Sequence, residues 1–579
     1  MKKIVIIFFV MFLPILSSAD TVEIDGIFYK INKSSQQAEV TTNPDYYQGS
    51  FIIPEYFEYE GTIYDVKSIG DSAFFSCIEV YSVTIPNSVT NIGDYAFAGC
   101  SITTITMPNN ILSIGKNAFS GNIYSSGINS VYISDLEAWC NITFADERSN
   151  PLFTAHSLFL NGEEIKDMVI PNSVTSIRDY AFVNCSSLTS VTIPNSVTSI
   201  GNFAFYCCYD LNSVNIPNSV TSIGRFSFFN CYNLTSINIP NSVASIGESA
   251  FDSCSSLTSV HISDLESWCK IDFVNEYSNP LCYAKHLYLN GIEIKDLIIP
   301  NGVASICNYA FNGCNITSLI IPSSVTKIGK YAFYCCYDLI SVNIPNSVTS
   351  IDMGAFRACT SLTSVTIPNS VTSIDNYLFD YCTNLTSVII PNSVTTIGWY
   401  AFRDCTSLPS VNIPNSVTSI GWHAFRNCTS LTSVNIPNSV TTIERQAFYD
   451  CSNLTSIIIG SGINKIDQFA FSNCPKLNDV YCYAESIPST ELTAFSFSHI
   501  EYATLHVLSD QVVFYNIYRP WKDFNKILSL TESDPQPNEI KSVKATYNDK
   551  GGSFDLNGRK VNQPSKGLYI KYGKKYIMK

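Results

Sequence analysis

Residues 187–197 read SLTSVTIPNSV, and the pentapeptide from Ile193 to Val197 occurs ten times in the chain. The prolines measure the repeat. Pro171, Pro194, Pro217 and Pro240 are 23 apart, as are Pro322, Pro345, Pro368, Pro391, Pro414 and Pro437, and a fixed period of this length marks a solenoid. Within one unit Leu188, Val191 and Ile193 form L-x-x-V-x-I, and Pro194 ends the strand because it has no N–H for a sheet ladder. Val197 and Ile200 add a second apolar pair, and Ala204-Phe205 with Cys208 closes the turn. Alone, such a unit buries too little apolar surface to offset the entropy lost in ordering it. Stacked units bury each other's edges, so the repetition is first a folding device.

Strand alternation turns Val191 and Ile193 inward and Ser190 and Thr192 outward. Later coils place Asn215, Asn238, Asn343, Thr366, Asn412 and Asn435 in the column of Thr192. These columns are either soluble filler for a sheet surface or a recognition face for an extended partner. Tyr132 and His261 depart from the small polar pattern at the same column and are the strongest ligand-contact candidates.

Fifteen copies of the Phe position run from Phe74 to Phe471, and fourteen carry Cys three residues later, Phe119 being the exception. On the unit LxxVxIPxxVxxIGxxAFxxCxx the chain resembles the BspA-like branch of bacterial leucine-rich-repeat proteins, over roughly residues 65–475. The resemblance implies an α/β fold: a right-handed leucine-rich-repeat solenoid of 23-residue coils, with a parallel β-sheet on its concave face and short helical or irregular turns on the convex side. It also implies surface exposure and adhesion through protein contacts.

Two enlarged coils, 130–170 and 259–299, interrupt the count and copy each other. SVYISDLEAWCNITF from Ser130 and SVHISDLESWCKIDF from Ser259 lie 129 residues apart, and each runs on through Ser-Asn-Pro and Leu-Asn-Gly. Ser134 to Glu137 and Ser263 to Glu266 have capping-box spacing, which predicts a short helix burying Leu136, Trp139 and Cys140, or Leu265, Trp268 and Cys269. Asn161-Gly162 and Asn290-Gly291 predict hairpin turns.

The ends differ. Residues 1–19 carry Lys2-Lys3, an apolar run too short for a bilayer of ~30 Å, and Ser17-Ser-Ala19, which reads as a signal peptide. Residues 20–64 and 476–530 read as N- and C-terminal caps, and 531–538, with Asp534-Pro-Gln-Pro, as a linker. Residues 539–579 hold a basic end with no acid after Asp555. Through Phe554-Asp-Leu-Asn-Gly-Arg-Lys-Val561 and Gly567-Leu-Tyr-Ile-Lys-Tyr-Gly573 they resemble the C-terminal sorting domain of type IX secretion cargo, which implies a small β-module that engages the secretion machinery. A basic β-module that packs on the acidic solenoid is the alternative.

Chemistry is sparse. With 48 acidic against 34 basic residues the net charge is -14, which disfavours nucleic acid. Most of the 21 cysteines fall in the repeat column, where a thiol acts as a small buried hydrophobe. Coil spacing of ~4.8 Å leaves disulfides open, while metal sites need ligands that converge. The six histidines are scattered, and the copied coils do not preserve them. No catalytic, cofactor or metal site is predicted, nor a transmembrane span in the mature chain. The reading is a non-enzymatic, secreted or outer-cell-surface protein that binds an extracellular protein or a glycan. A glycan-binding accessory protein and a self-associating scaffold are the alternatives.

Overall fold

The computed structural model describes residues 20–121 and 127–537, with four short strands between 553 and 578. The leader at 1–19 and the Asn557-Gly558 turn lie outside the described residues. Each ordinary coil contributes two strands to two parallel ladders. Ser190–Thr192 pairs with Asp167–Val169 on one side and Ser213–Asn215 on the other, while Ser199–Ile200 pairs with Ser222–Ile223. Register is one to one, Val191 opposite Val214 and Thr192 opposite Asn215. Val191, Ile193, Val197 and Ile200 are buried and Thr192 is exposed, as the alternation requires.

Between the ladders the Ala-Phe turns build the core. Phe182 stacks on Phe205 at 5.5 Å and Phe205 on Phe228 at 5.4 Å, with planes within 13° of parallel. The column runs one coil beyond the last Phe-Cys pair: Phe471 stacks on Phe495 at 5.5 Å, and Ser498 stands where a Cys would, donating to the Phe471 carbonyl at 2.6 Å. The thiols do the same. Cys208 donates to the Phe182 carbonyl at 3.2 Å and Cys231 to that of Phe205 at 3.3 Å. No disulfide joins the cysteines among the described residues, and burial pushes Cys185 up to about 12, so the column packs as un-ionised donors.

Each turn also carries left-handed residues, such as Phe203 (φ 56°) and Cys207 (φ 57°). A side chain in that region costs roughly 1 kcal/mol. The conformation aims N–H groups at the next coil, Phe203 to the Arg225 carbonyl at 2.9 Å and Cys207 to that of Phe229 at 2.8 Å. The first left-handed position builds a second aromatic stack, Tyr180 on Phe203 at 5.1 Å and Tyr377 on Tyr400 at 4.8 Å. Three residues further along the turn, Arg357, Asp380 and Arg403 follow one another on successive coils. Asp380 is fully buried between the two guanidiniums, accepting from Arg357 Nε at 2.9 Å and Arg403 Nε at 2.7 Å.

His423 continues the second stack, lying 4.6 Å from Tyr400, and is 3 % exposed. Burial, with the charges of Arg426, Arg403 and Arg445, pushes its pKa down to about 4. A base with a depressed folded pKa gives stability that is present above its unfolded value and lost as pH falls toward the folded one. The protein should therefore lose roughly 2 kcal/mol between pH 7 and pH 5 through this ring. Urea unfolding at the two pH values should show that loss in the parent. In His423→Tyr, which restores the residue type of Tyr377 and Tyr400, the difference should shrink by about that amount.

The enlarged coils hold helices Leu136–Cys140 and Leu265–Cys269, with the predicted Leu, Trp and Cys residues buried. Their caps lie one residue later than the sequence spacing suggests. Asp135 accepts from the Glu137 and Ala138 N–H groups and Asp264 from that of Ser267, while Ser134 turns away to donate to Asn109. A carboxylate is the stronger acceptor and meets the positive end of the helix, so it displaces the hydroxyl. True capping boxes form ten residues or so downstream, Asp146 with Ser149 and Asn275 with Ser278. The Asn-Gly pairs close hairpins between Leu158–Leu160 and Glu163–Glu164, and between Leu287–Leu289 and Ile292–Glu293. In the first of them Asn161 (φ 52°) and Gly162 (φ 92°) are both left-handed.

At one end, strands Asp20–Ile24, Ile27–Asn32 and Gln37–Val40 form an antiparallel meander whose last strand pairs with Thr62–Ile69 and so with the second ladder. At the other, Thr504–Val507 and Lys526–Ser529 extend the first ladder, and Trp521 and Phe524 pack on Phe495, with Tyr515 edge-on to Trp521. Residues 538–579 form a separate unit, in which Lys560–Val561, Ser553–Phe554, Gly567–Lys571 and Lys574–Met578 make one antiparallel sheet.

Candidate recognition face

The outward side of the first ladder is the broad surface that the repeats create. Thr192, Asn215, Asn238, Asn343, Thr366 and Asn412 are exposed on it, whereas Ser190, Tyr132, His261 and Asn435 are half-buried. Most neighbours pair in register, Asn238 beside His261 and Asn412 beside Asn435. Ser190 is tied down by a 2.5 Å hydrogen bond to Asp167.

Tyr132 and His261 do not stand alone. Tyr132 stacks on Phe159 at 4.8 Å, and His261 on Tyr288 at 4.8 Å, each pair one coil apart inside an enlarged coil. A third pair, Tyr481 on His506 at 4.5 Å, lies near the far end of the ladder. Phe159 and Tyr288 occupy matching places in the duplicated inserts, so aligning the two copies would have found them. Apolar side chains also stand on this face: Ile298, Ile320 and Ile389 are each more than half exposed.

Two places are more than flat sheet. Between Ser341–Asn343 and Ser364–Thr366 the strands register only at Ser341 and Ser364. Asn343 and Thr366 there line a shallow groove with Ile389 and the prolines Pro345, Pro368 and Pro391. Further on, the stretch expected to be a linker lies back over the face. Leu530 is held by the Val507 carbonyl, Tyr483 donates its hydroxyl to the Pro535 carbonyl at 3.0 Å, and Asn435 Nδ2 donates to the Gln536 carbonyl at 3.5 Å. Pro537 is buried, and Asp534 closes the preceding turn by accepting from Thr531 N–H at 2.7 Å. The segment thus crosses the strands Thr504–Val507, Asp479–Cys482 and Ser456–Ile459 to reach the coil of Asn435. Nothing in its composition distinguishes a strap from a free linker.

The histidines have separate partners on separate coils. His261 Nε2 lies 3.1 Å from Ser259 Oγ, His286 Nδ1 2.6 Å from Glu293, His506 Nε2 3.2 Å from Asp479, and His499 Nδ1 3.2 Å from Glu501. Among the described residues no group of three or more His, Cys, Asp or Glu side chains converges as a metal site would require, and no helix is long and apolar enough to cross a membrane.

With two parallel ladders, a Phe column and a 23-residue period in place, the chain belongs to the BspA-type leucine-rich-repeat family, whose profile matches residues 60–146, 154–278, 284–409 and 395–516. No curated protein matches it. Among solved structures it is similar to a leucine-rich-repeat protein from Bacteroides ovatus, at 24 % identity over 81 % of this chain and 99 % of that one, with a TM-score of 0.37. It is also similar to a leucine-rich cell surface protein from Faecalibacterium prausnitzii (22 % identity, 80 % and 94 % covered, TM-score 0.32). A third is the pneumococcal vaccine antigen PcpA (16 % identity, 89 % and 99 % covered, TM-score 0.27).

Proposed function

We propose that this is an exported, cell-surface, non-enzymatic binding protein that takes an extended segment of an extracellular protein along its main sheet face, in adhesion or matrix recognition. The observation that carries the reading is the strap. Its main-chain carbonyls at Pro535 and Gln536 are read by side chains of the face, Tyr483 and Asn435. Contacts to backbone carbonyls suit any extended chain, and a proline-containing segment comes with low entropy to lose. The groove around Asn343, Thr366 and Ile389 offers the same chemistry unoccupied by the strap, with an apolar floor flanked by amide and hydroxyl groups. Export is supported by the leader-like residues 1–19 and by family membership.

The test is an array of extracellular-matrix proteins and glycans probed with the full chain and with an Asn343→Glu, Ile389→Glu, Asn412→Glu triple variant, all three exposed. Protein binding by the parent that falls at least tenfold in the variant is expected. Binding to glycans only, or protein binding that the triple variant retains, overturns the sheet-face reading. Residues 539–579 are read as the segment that engages secretion machinery. Truncation after residue 538 in the native host should abolish surface display with little change in melting, and display that persists removes that role.

A further inference from the structure

A second site lies on the Ala-Phe turn side, away from the sheet face, and it arises where the block duplication diverged. Beside the second enlarged coil, Glu276, Tyr277, Tyr309, Tyr331, Tyr334 and Arg357 line a cleft of about 250 Å³, all of them half-buried. Each wall is held from behind. The Asn275 side chain accepts from Ser278 N–H at 2.9 Å and fixes the turn that carries Glu276, whose own carbonyl accepts from Asn312 Nδ2. Asn279, fully buried, donates to the Tyr309 carbonyl at 2.7 Å. Tyr309 stacks on Tyr331 at 5.5 Å, and Tyr331 meets Tyr334 edge to face at 5.6 Å. Arg357 lies 5.3 Å over Tyr334, with its Nε engaged by Asp380.

The first enlarged coil has the same plan with two further rings in it. Glu147, Tyr180, Phe203 and Tyr206 stand for Glu276, Tyr309, Tyr331 and Tyr334, but on the following coil Phe226 stacks on Phe203 at 5.0 Å and Phe229 on Tyr206 at 5.1 Å. In the second copy those two rings are Gly354 and Arg357. Gly354 (φ 62°) ends the stack, and a Cβ there would strike the Tyr331 ring. The two copies thus differ at two positions, with two rings in the first and, in the second, a glycine and a guanidinium that shares the cleft lining with the Glu276 carboxylate. Glu276 acts on those walls: burial raises the Tyr309 phenol, and the charges of Tyr331 and Glu276 add to the shift.

We propose that this cleft binds one sugar ring of a glycan. A pyranose has an apolar C–H face that suits a tyrosine ring, and hydroxyls that both donate and accept, which suits a lining that holds an acceptor, Glu276, and a donor, Arg357. The volume falls below the ~300 Å³ at which drug-sized pockets begin, so it takes one ring and leaves the rest of a chain outside. An ammonium ligand fits less well, because Arg357 already lies 5.3 Å over Tyr334 and 5.4 Å over Tyr377 and would repel a second cation. The proposal does not rest on the sheet-face reading.

Saturation-transfer NMR on the full chain with glucose, galactose, mannose, N-acetylglucosamine and tetramethylammonium tests it. At least one sugar should show transfer, strongest at ring C–H protons. Glu276→Gln, which touches no packing core, should weaken it at least tenfold. Gly354→Phe, which restores the ring that Phe226 supplies in the first copy, should abolish it, with melting used to check the fold. Transfer from no sugar, equal transfer in Glu276→Gln, or a Glu276-dependent response to tetramethylammonium alone would each overturn the assignment.

Discussion

Replacing Asp380 with alanine should cost about 3–5 kcal/mol of stability. Asp380 lies between Arg357 and Arg403 on consecutive coils and accepts from Arg403 twice, at Nε 2.7 Å and Nη2 2.8 Å, while Asp404, 3.5 Å from Arg403 Nε, reaches only one of the two cations. The guanidiniums are themselves pinned on rings, Arg403 at 4.7 Å over both Tyr381 and Tyr400. Burial is the largest influence on the carboxyl and holds it above its usual range, even with two arginines lowering it. Such a network gives little net stability, yet losing its centre leaves two half-buried cations facing each other. Urea unfolding should therefore separate two variants sharply. Asp380→Ala alone falls by the full amount, while Asp380→Leu combined with Arg357→Met and Arg403→Met stays near the parent. An Asp380→Ala loss under about 1 kcal/mol would mean that water reaches the arginines and that the triad is not closed.

Trp268→Ala is the second large effect, at about 3–5 kcal/mol. The indole is 1 % exposed, packs 5.4 Å from Phe273, and donates to the Ala310 carbonyl at 2.8 Å across to the next ordinary coil. Asn279 Nδ2 donates to the same carbonyl at 3.0 Å, so the substitution leaves no orphaned acceptor and its cost is that of a cavity. Trp139 repeats the arrangement, with Nε1 at 3.0 Å from the Ala181 carbonyl. Trp139→Ala should therefore match Trp268→Ala, and the double variant should be additive within ~0.5 kcal/mol because the sites share no partner. A marked excess in the double variant would show that the enlarged coils are coupled through the coils between them.

The solenoid was legible because its determinants are local and periodic. Leu188, Val191 and Ile193 state which face of the strand is buried, Pro194 states where it stops, and 23-residue spacing states that the next coil repeats both. The last coil was not legible, because Ser498 replaces the marker cysteine while keeping its hydrogen bond to the preceding Phe carbonyl. The helix cap misled by one residue because Ser134 and Asp135 are both good caps and only the fold reveals that Asn109 engages the serine. Tyr132 and His261 were visible as departures from a column, but their partners Phe159 and Tyr288 lie in coils of irregular length, where counting fails. The strap and the cleft were invisible for a different reason: each depends on contacts between residues whose separation no period sets.

One-to-one register has a consequence for inheritance. Because Ser190 meets Ser213, Val411 meets Val434 and Ile443 meets Ile466 at the same positions on successive coils, ordinary coils in register present interchangeable surfaces. A gene encoding near-identical segments in tandem mispairs readily during copying, and slippage by one unit would delete or add a whole coil while the flanking surfaces still meet. Length is then the trait that can change at least structural cost, and the similarity of the two enlarged coils 129 residues apart is what copying several coils at once would leave. Coils that touch an idiosyncratic feature, such as Gly354 beneath Tyr331 or Asn435 beneath Gln536, are the ones such slippage cannot remove without loss.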